Sequence, residues 1–486
     1  MTDRAGPIGD APAGSDGARS TAKRVVVLGG GFAGVSFAQE LARLLRHGDR
    51  RRRPVDAGVR LGARDVEVVL VDRDNYFVFQ PLLADIISGS IETTHVVVPL
   101  RRMLPRTKVL VGEIESIDAA AKVVGIRRRG AAQAVPLRYD QLVLTLGGVT
   151  DFRAVPGMAE HSLGVRTLGD AFYLRNRALD RLEEAAIERD PERCRRLLTF
   201  VVVGGGSTGV EVAAELHDLL HLAVRSFRST ADLSPRVVLV HSRPRVLSEF
   251  GERLSKRATK RLAAVGVELV LGHRLARVEP DAVVLDDGTR IEAGTVVSTV
   301  GNAPNPLLGH LPAGHDAKGW VLPDATFAVP GLDGVWALGD CASIEDPATG
   351  RPMPSTAQHA IREGPAAARN ILAVLEGRAP QPFHYGQLGM LVSLGRRHGI
   401  GEVLGVPVSG LIGWFLWRSY YLARLPTLER RIRVALDWTL DWFLARDIVE
   451  INVGRTVARP GEVPGELGGE PVSAGARDEV HDELIV

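Results

Sequence analysis

The chain of 486 residues is long enough for two or three domains, each with its own core. Apolar residues make up 45% and charged residues 24%, a globular balance, and a formal net charge of +2 supplies no field that would gather nucleic acid. Two cysteines, Cys194 and Cys341, exclude a disulfide framework; with no C-x-x-C present, they point to a reducing compartment.

Residues 1–22 are rich in Gly, Ala, Asp and Ser, lack the apolar run of a secretory signal, and are expected to be disordered. From Lys23 the segment KRVVVLGGGFAGVSFAQELARLL reads as strand, glycine turn and helix. The Arg-rich stretch Arg46 to Asp65 reads as an exposed insertion, with contact to anionic lipid as the alternative. Val66 to Val71 is a buried, parallel-type strand that ends at Asp72. Short strands follow in KVLVGEIESID and in YDQLVLTLG from Tyr139, then a helix over Ala171 to Arg189. A second strand, glycine turn and helix begin at Leu197, LLTFVVVGGGSTGVEVAAELHDLL, with a following strand over Arg236 to Ser242. Thr295 to Pro306 and Gly334 to Ser343 are further strand-to-loop junctions. The tail from Pro460 to Val486 has seven acidic residues against one arginine and reads as disordered.

The duplication is the organising feature: Gly29 and Gly204 open the same G-x-G-x-x-G pattern 175 residues apart. In Gly29-Gly30-Gly31-Phe32-Ala33-Gly34 and in Gly204-Gly205-Gly206-Ser207-Thr208-Gly209, one glycine makes the tight turn, one admits a pyrophosphate and one lets the helix close on the strand. The phosphates of a dinucleotide would then rest on the helix N-terminus. Asp72 stands where a carboxylate accepts both ribose hydroxyls. The second unit has His241 there instead, followed by Ser242, Arg243 and Arg245. Arginines at that point either pair with a 2′-phosphate or face solvent, so the choice between NADH and NADPH stays open.

Together these segments resemble the type II NADH dehydrogenases, single-subunit NADH:quinone oxidoreductases, from about Arg24 to Val453. The motifs that carry the likeness are the first turn with Asp72, DNYFVFQPLLADIISGS (Asp74 to Ser90), VVVGGGSTGVEVAAEL (Val201 to Leu216), VWALGDCAS and PSTAQHAIREG (Pro354 to Gly364). The resemblance implies an α/β fold of two Rossmann-like, glutathione-reductase-like domains. The FAD domain would be split between 23–165 and 298–390 around a nucleotide domain at 166–297. A C-terminal membrane-associating helical region at 391–455 and an acidic tail at 456–486 would follow. It implies FAD contacts at Gly29, Gly31, Phe32, Ala33, Gly34, Asp72, Arg73, Gln80, Gly147, Gly339, Asp340 and Gln358. It implies NAD(P)H contacts at Gly204, Gly206, Thr208, Gly209, Glu211, His241 and Gly301, and no metal.

Glu211 and Gln358 are the catalytic candidates. The resemblance places Glu211 beside the flavin and nicotinamide rings; the plain alternative is a carboxylate favoured by the first turn of its helix. Gln358 would offer an amide donor to a quinone carbonyl. Asp340 would reach the ribityl chain while capping a following helix. Cys341 reads as a small buried residue, and His359 as a packed or exposed histidine as readily as a proton donor. The likeness departs at Arg362, where the family pattern A-Q-x-A-x-Q has glutamine. Arg362 either steadies a reduced quinone or disfavours the usual one, so a non-quinone acceptor or a nucleotide-sensing flavoprotein is the alternative. The implied partners are a quinone, a membrane surface and a second copy of the chain, at the cytoplasmic face of the cell membrane, without proton pumping.

From Gly410 to Val453 aromatic residues alternate with arginines, and Trp414, Trp417, Tyr420 and Tyr421 fall on one helical face. That face is expected to lie in a membrane interface rather than to cross it, since Pro407, two glycines and Arg418 break the apolar run. A core-capping or dimerising helix pair is the alternative.

Overall fold

The computed structural model describes residues 22–50, 61–227, 234–346, 350–386 and 389–451. The expected disorder of residues 1–22 and 456–486 concerns segments outside these, Ala22 apart. Two five-stranded parallel sheets organise the chain. In the first, Lys23–Leu28 lies at the centre, paired with Val66–Asp72 on one side and Gln141–Leu144 on the other. Lys108–Val111 and Val335–Ala337 are its edges. Its Val- and Leu-rich strands are buried on both faces, as parallel sheets require. The last strand returns from almost 200 residues downstream, so this sheet is discontinuous in sequence.

The second sheet repeats the arrangement. Thr199–Val203 is central, between Arg236–His241 and Thr295–Ser298, with Glu268–Leu271 at one edge. Its other edge is Leu163–Gly164, so the boundary expected at residue 165 falls too late: the chain has already joined the second sheet. Between the sheets the chain crosses twice, and the crossings pair as Gly148–Thr150 with Asn302–Pro304.

Three expectations need correction. The helix after the first turn runs through Phe32–Arg50, so the Arg-rich stretch is helical at its start rather than loop from Arg46. The helix expected over Ala171 to Arg189 spans Leu168–Ile187, because Thr167 and Asp170 form a reciprocal capping box that starts it a turn earlier. The C-terminal region is not only helical: Gly389–Ser393, Gly399–Val403 and Val406–Ser409 form an antiparallel sheet before the helices Gly410–Arg424 and Leu428–Leu440.

Glycine sets how closely two elements pack. A Cβ on Gly364 would meet the Ala33 carbonyl at 2.7 Å, so the Ala357–Leu375 helix lies directly on the helix of the first glycine turn. Gln358 is thereby carried toward the first turn by backbone packing alone.

Candidate dinucleotide sites and the groups between them

The two glycine turns are built alike. Gly29 and Gly204 adopt φ of +109° and +116°, where a side chain is strained. Their amides donate to Val71 and Val240, each on the neighbouring strand. A Cβ on Gly34 would lie 2.0 Å from the Gly29 carbonyl, and one on Gly209 would lie 1.8 Å from that of Gly204, so helix and strand close to a distance only glycine permits. A threonine braces each turn: Thr145 Oγ1 donates to the Leu28 carbonyl, and Thr299 Oγ1 to that of Val203, both at 2.8 Å.

The equivalence extends to the middle glycine and to the end of the second strand. Gly30 N donates to Asp72 Oδ2 at 2.5 Å, and Gly205 N donates to His241 Nδ1 at 3.0 Å. Asp72 also accepts from the Asp74 amide at 2.8 Å. Burial raises its pKa, against the pull of these two amides. Burial lowers that of His241, with Arg243 adding to the effect.

The first turn opens into a cavity of about 520 Å³, within the size range of cofactor sites. Gly29, Gly31, Phe32, Ala33, Asp72, Arg73, Gln80, Gly147, Gly339 and Asp340 all line it. Gly34 does not; it is spent on packing. Nothing stands within 4 Å of where a Cβ on Gly31 or Gly147 would be, so backbone faces open space at both. A carboxylate at one end, a glycine-rich helix start in the middle and a second carboxylate at the other end fit a dinucleotide laid along the cavity.

Asp340 sits in a three-residue 3₁₀ turn, Gly339–Cys341, and not at the start of a helix. The expected cap is therefore absent, and the next helix begins only at Ala357. Burial raises the Asp340 pKa, and the neighbouring Arg166 opposes it. Cys341 is buried and donates to the Leu144 carbonyl; burial pushes its thiol up to about 12, which leaves it inert.

Glu211 and Gln358 lie outside the cavity wall, although Ala357 and Ala360 from the turn around Gln358 form part of it. Glu211 stands in the second turn of its helix, not the first. Its Oε1 accepts from the Ser393 amide at 2.9 Å, and burial pushes the carboxyl up to about 8, with Asp85 adding to the rise. Gln358 Oε1 accepts from the Tyr385 hydroxyl at 2.7 Å, while its Nε2 faces the Gly389 carbonyl at 3.3 Å and Tyr420 Oη at 3.5 Å. Tyr420 packs edge-on against Tyr421, whose hydroxyl is in turn pushed up by burial and by Glu211. The two catalytic candidates thus converge on one pair of tyrosines.

Arg362 is committed: Nη1 donates to the Gln358 carbonyl at 2.8 Å, and the guanidinium lies 4.3 Å over the Tyr385 ring. His359 is buried and shares a 2.8 Å hydrogen bond with Thr356 Oγ1, which fits a packed histidine.

Several contributors escaped the sequence reading. Thr145 and Thr299 could have been found from the repeated T-x-G after each fourth strand. Arg166 lines the cavity near Asp340, and Glu363 accepts from the Gly339 amide at 2.7 Å with its carboxyl pushed by burial up to about 7; neither carried a local signal.

The aromatic face of the C-terminal helix turns inward, contrary to expectation. Trp417 is 1% exposed, meets Tyr421 and Trp438, and Tyr421 reaches Phe79. Arg418 lies over Trp414 at 4.0 Å and over Trp438 at 4.7 Å. The outward face is aliphatic with Phe415, 66% exposed, and Ile412, 70% exposed.

Residues 23–364 match the pyridine nucleotide-disulphide oxidoreductase family. The chain is 31% identical over 440 residues to the type II NADH:quinone oxidoreductase Ndh of Mycobacterium tuberculosis, covering 87% of this chain and 89% of that one. It is 31% identical to the internal alternative NAD(P)H-ubiquinone oxidoreductase A1 of Arabidopsis thaliana, covering 88% and 86%. Among solved structures, NDH2 from Plasmodium falciparum in complex with NADH has the same fold, with a TM-score of 0.78 at 17% identity over 89% of this chain and all of that one.

Proposed function

The chain belongs to the pyridine nucleotide-disulphide oxidoreductase family, in its type II NADH:quinone oxidoreductase branch, and on that premise we propose that it moves electrons from NAD(P)H through FAD to a membrane quinone without pumping protons. The observation that carries this reading is the pair of equivalent glycine turns, one of which opens into a cavity that continues to the Gly339–Asp340 turn. FAD, when bound, supplies acceptance of a hydride and release of the electron pair to the quinone.

The residues of this chain bind, orient and insulate. Gly29, Gly31, Phe32, Ala33 and Gly34 would set the FAD pyrophosphate on the helix that begins at Phe32. Asp72 and Arg73 would hold its adenosine end, and Gln80, Gly147, Gly339 and Asp340 the flavin half. Gly204, Gly206, Thr208 and Gly209 would receive the nicotinamide nucleotide, with His241 and Gly301 flanking it. Held neutral at physiological pH, Glu211 would act as a hydrogen-bond donor beside the reacting rings. Tyr385 holds the Gln358 amide with its NH₂ toward Tyr420 and the Gly389 carbonyl, and a quinone oxygen would have to take the place of one of these acceptors.

The two sheets support a split FAD domain around a nucleotide domain, with the first boundary ahead of Leu163. The C-terminal helices would lie on the membrane. Leu411, Ile412, Phe415, Leu428, Ile432, Leu436 and Leu440 are exposed, with Arg424, Arg431 and Arg433 among them, which suits an apolar face beneath anionic headgroups. Among the described residues no helix is long and apolar enough to cross a membrane. The cytoplasmic face of the cell membrane and a homodimer complete the proposal; sedimentation of the detergent-solubilised protein decides the latter.

The direct test is steady-state reduction of a menaquinone analogue by NADH and NADPH with the FAD-loaded protein. Turnover with at least one nucleotide is expected. Flavin reduction without any quinone turnover would overturn the quinone reading and leave the reductase.

A further inference from the structure

The duplicated turn contains its own control. At the first site the middle-glycine amide is taken by a carboxylate, Asp72, which has lone pairs to spare for ribose hydroxyls. At the second site the same amide is taken by His241 Nδ1, and an imidazole has only one lone pair when neutral. With Nδ1 accepting, the hydrogen lies on Nε2, which is buried and has no hydrogen-bond partner among the described residues. The His241 ring lies so close to Gly205 that a Cβ there would meet it at 2.7 Å, so only glycine lets the ring rest on the turn. A ribose diol therefore finds no carboxylate at the end of the Arg236–His241 strand.

Cations take the place of that acceptor. Arg243 is exposed and Arg245 half-buried, and among the described residues neither makes an ion pair. Two acidic groups stand nearby, Glu249 close enough to act on His241 and Glu252 on Arg245, but each has its hydrogen bonds to other groups. Glu249 accepts from Ser207 N at 3.2 Å and from Ser207 Oγ at 2.9 Å, at the helix start rather than at the strand end. Glu252 pairs with Lys256 at 2.8 Å. Two guanidinium groups with no ion pair among the described residues, beside a strand end that carries histidine in place of a carboxylate, match a dianionic group at the ribose 2′ position.

We infer that, on the reading that this turn holds the nicotinamide nucleotide, its adenosine end selects a 2′-phosphate, so that the protein binds NADPH more tightly than NADH. Arg243 and Arg245 supply the attraction, and His241 removes the carboxylate that would repel the phosphate.

Calorimetric titration of the FAD-loaded full chain with 2′-phospho-ADP-ribose and with ADP-ribose tests this without turnover. The phosphorylated ligand should bind roughly tenfold tighter or more, as expected for charge-assisted hydrogen bonds. The preference should shrink with added salt. The double variant Arg243→Ala/Arg245→Ala should bring the ratio close to one, and His241→Glu should reverse it. Equal or tighter binding of ADP-ribose overturns the inference and leaves the nucleotide site standing. Binding of neither ligand overturns the nucleotide site itself. A preference that survives the double variant overturns the assignment to these arginines.

Discussion

Replacing Gly209 with alanine separates the two nucleotide sites. The added Cβ would stand 1.8 Å from the Gly204 carbonyl oxygen and 2.6 Å from Thr299 Oγ1. Ordinary contact needs more than 3 Å, so the helix Ser207–Val224 must retreat by roughly 1 Å or the turn must open; overpacking of this kind costs about 1–3 kcal/mol. The chain is large enough to absorb that loss, but a shift of about 1 Å in a positioning element can slow a reaction about a hundredfold. Gly209→Ala should therefore fold, keep its flavin colour and show a KM for NADH and NADPH raised by one to two orders of magnitude, roughly as that shift implies. Gly34→Ala, with its Cβ 2.0 Å from the Gly29 carbonyl, should instead lose flavin. Flavin content by absorbance and anaerobic flavin reduction by stopped flow read the two effects separately. A Gly209→Ala protein reduced at the wild-type rate and half-saturation would refute the assignment of the second turn.

Four further outcomes follow from the same geometry. Burial pushes the folded Glu211 carboxyl up to about 8 from its ordinary 4.5, so its stabilising contribution is present below 4.5 and is lost as pH rises through 8. Wild-type protein should thus lose up to about 1.4 kcal/mol per pH unit across that window relative to Glu211→Gln, and parallel stability curves for the two from denaturant titrations would refute it. Arg446 pairs with Asp441 and lies 3.7 Å from Glu215, all nearly buried; Arg446→Met strands these acids and should cost about 3–5 kcal/mol, read as a drop in Tm, with an unchanged Tm contradicting the pairing. Tyr385→Phe removes the hydroxyl that donates to Gln358 Oε1 and should raise KM for quinone severalfold while leaving flavin reduction by nucleotide untouched; equal effects on both half-reactions would count against a positioning role. Ile412→Glu with Phe415→Glu should abolish pelleting with anionic vesicles but spare turnover with a water-soluble quinone, and retained pelleting would remove the helix from the membrane surface.

Local chemistry made much of this protein legible in one dimension. Glycine at Gly29, Gly34 and Gly209 is demanded by backbone contacts under 3 Å, and at Gly204 by a φ of +116°, so the residue type itself reports the turn. The strand-end residues Asp72 and His241 were readable because each ends the apolar strand next after its turn, which places it on the middle-glycine amide. Three features required the tertiary structure. Glu363 reaches Gly339 only because Gly364 lets two helices touch. Glu211 acquires its raised pKa only when the Gly389–Ser393 strand and the Asp85 segment close over it. The aromatic face of Gly410–Arg424 looked like a membrane face because a periodic pattern marks an apolar stripe but does not say what covers it. Here Trp438 and Phe79 cover it, and the aliphatic side is the one left open. Periodicity and glycine placement are encoded along the chain; burial and the pKa values that follow from it exist only once distant segments have met.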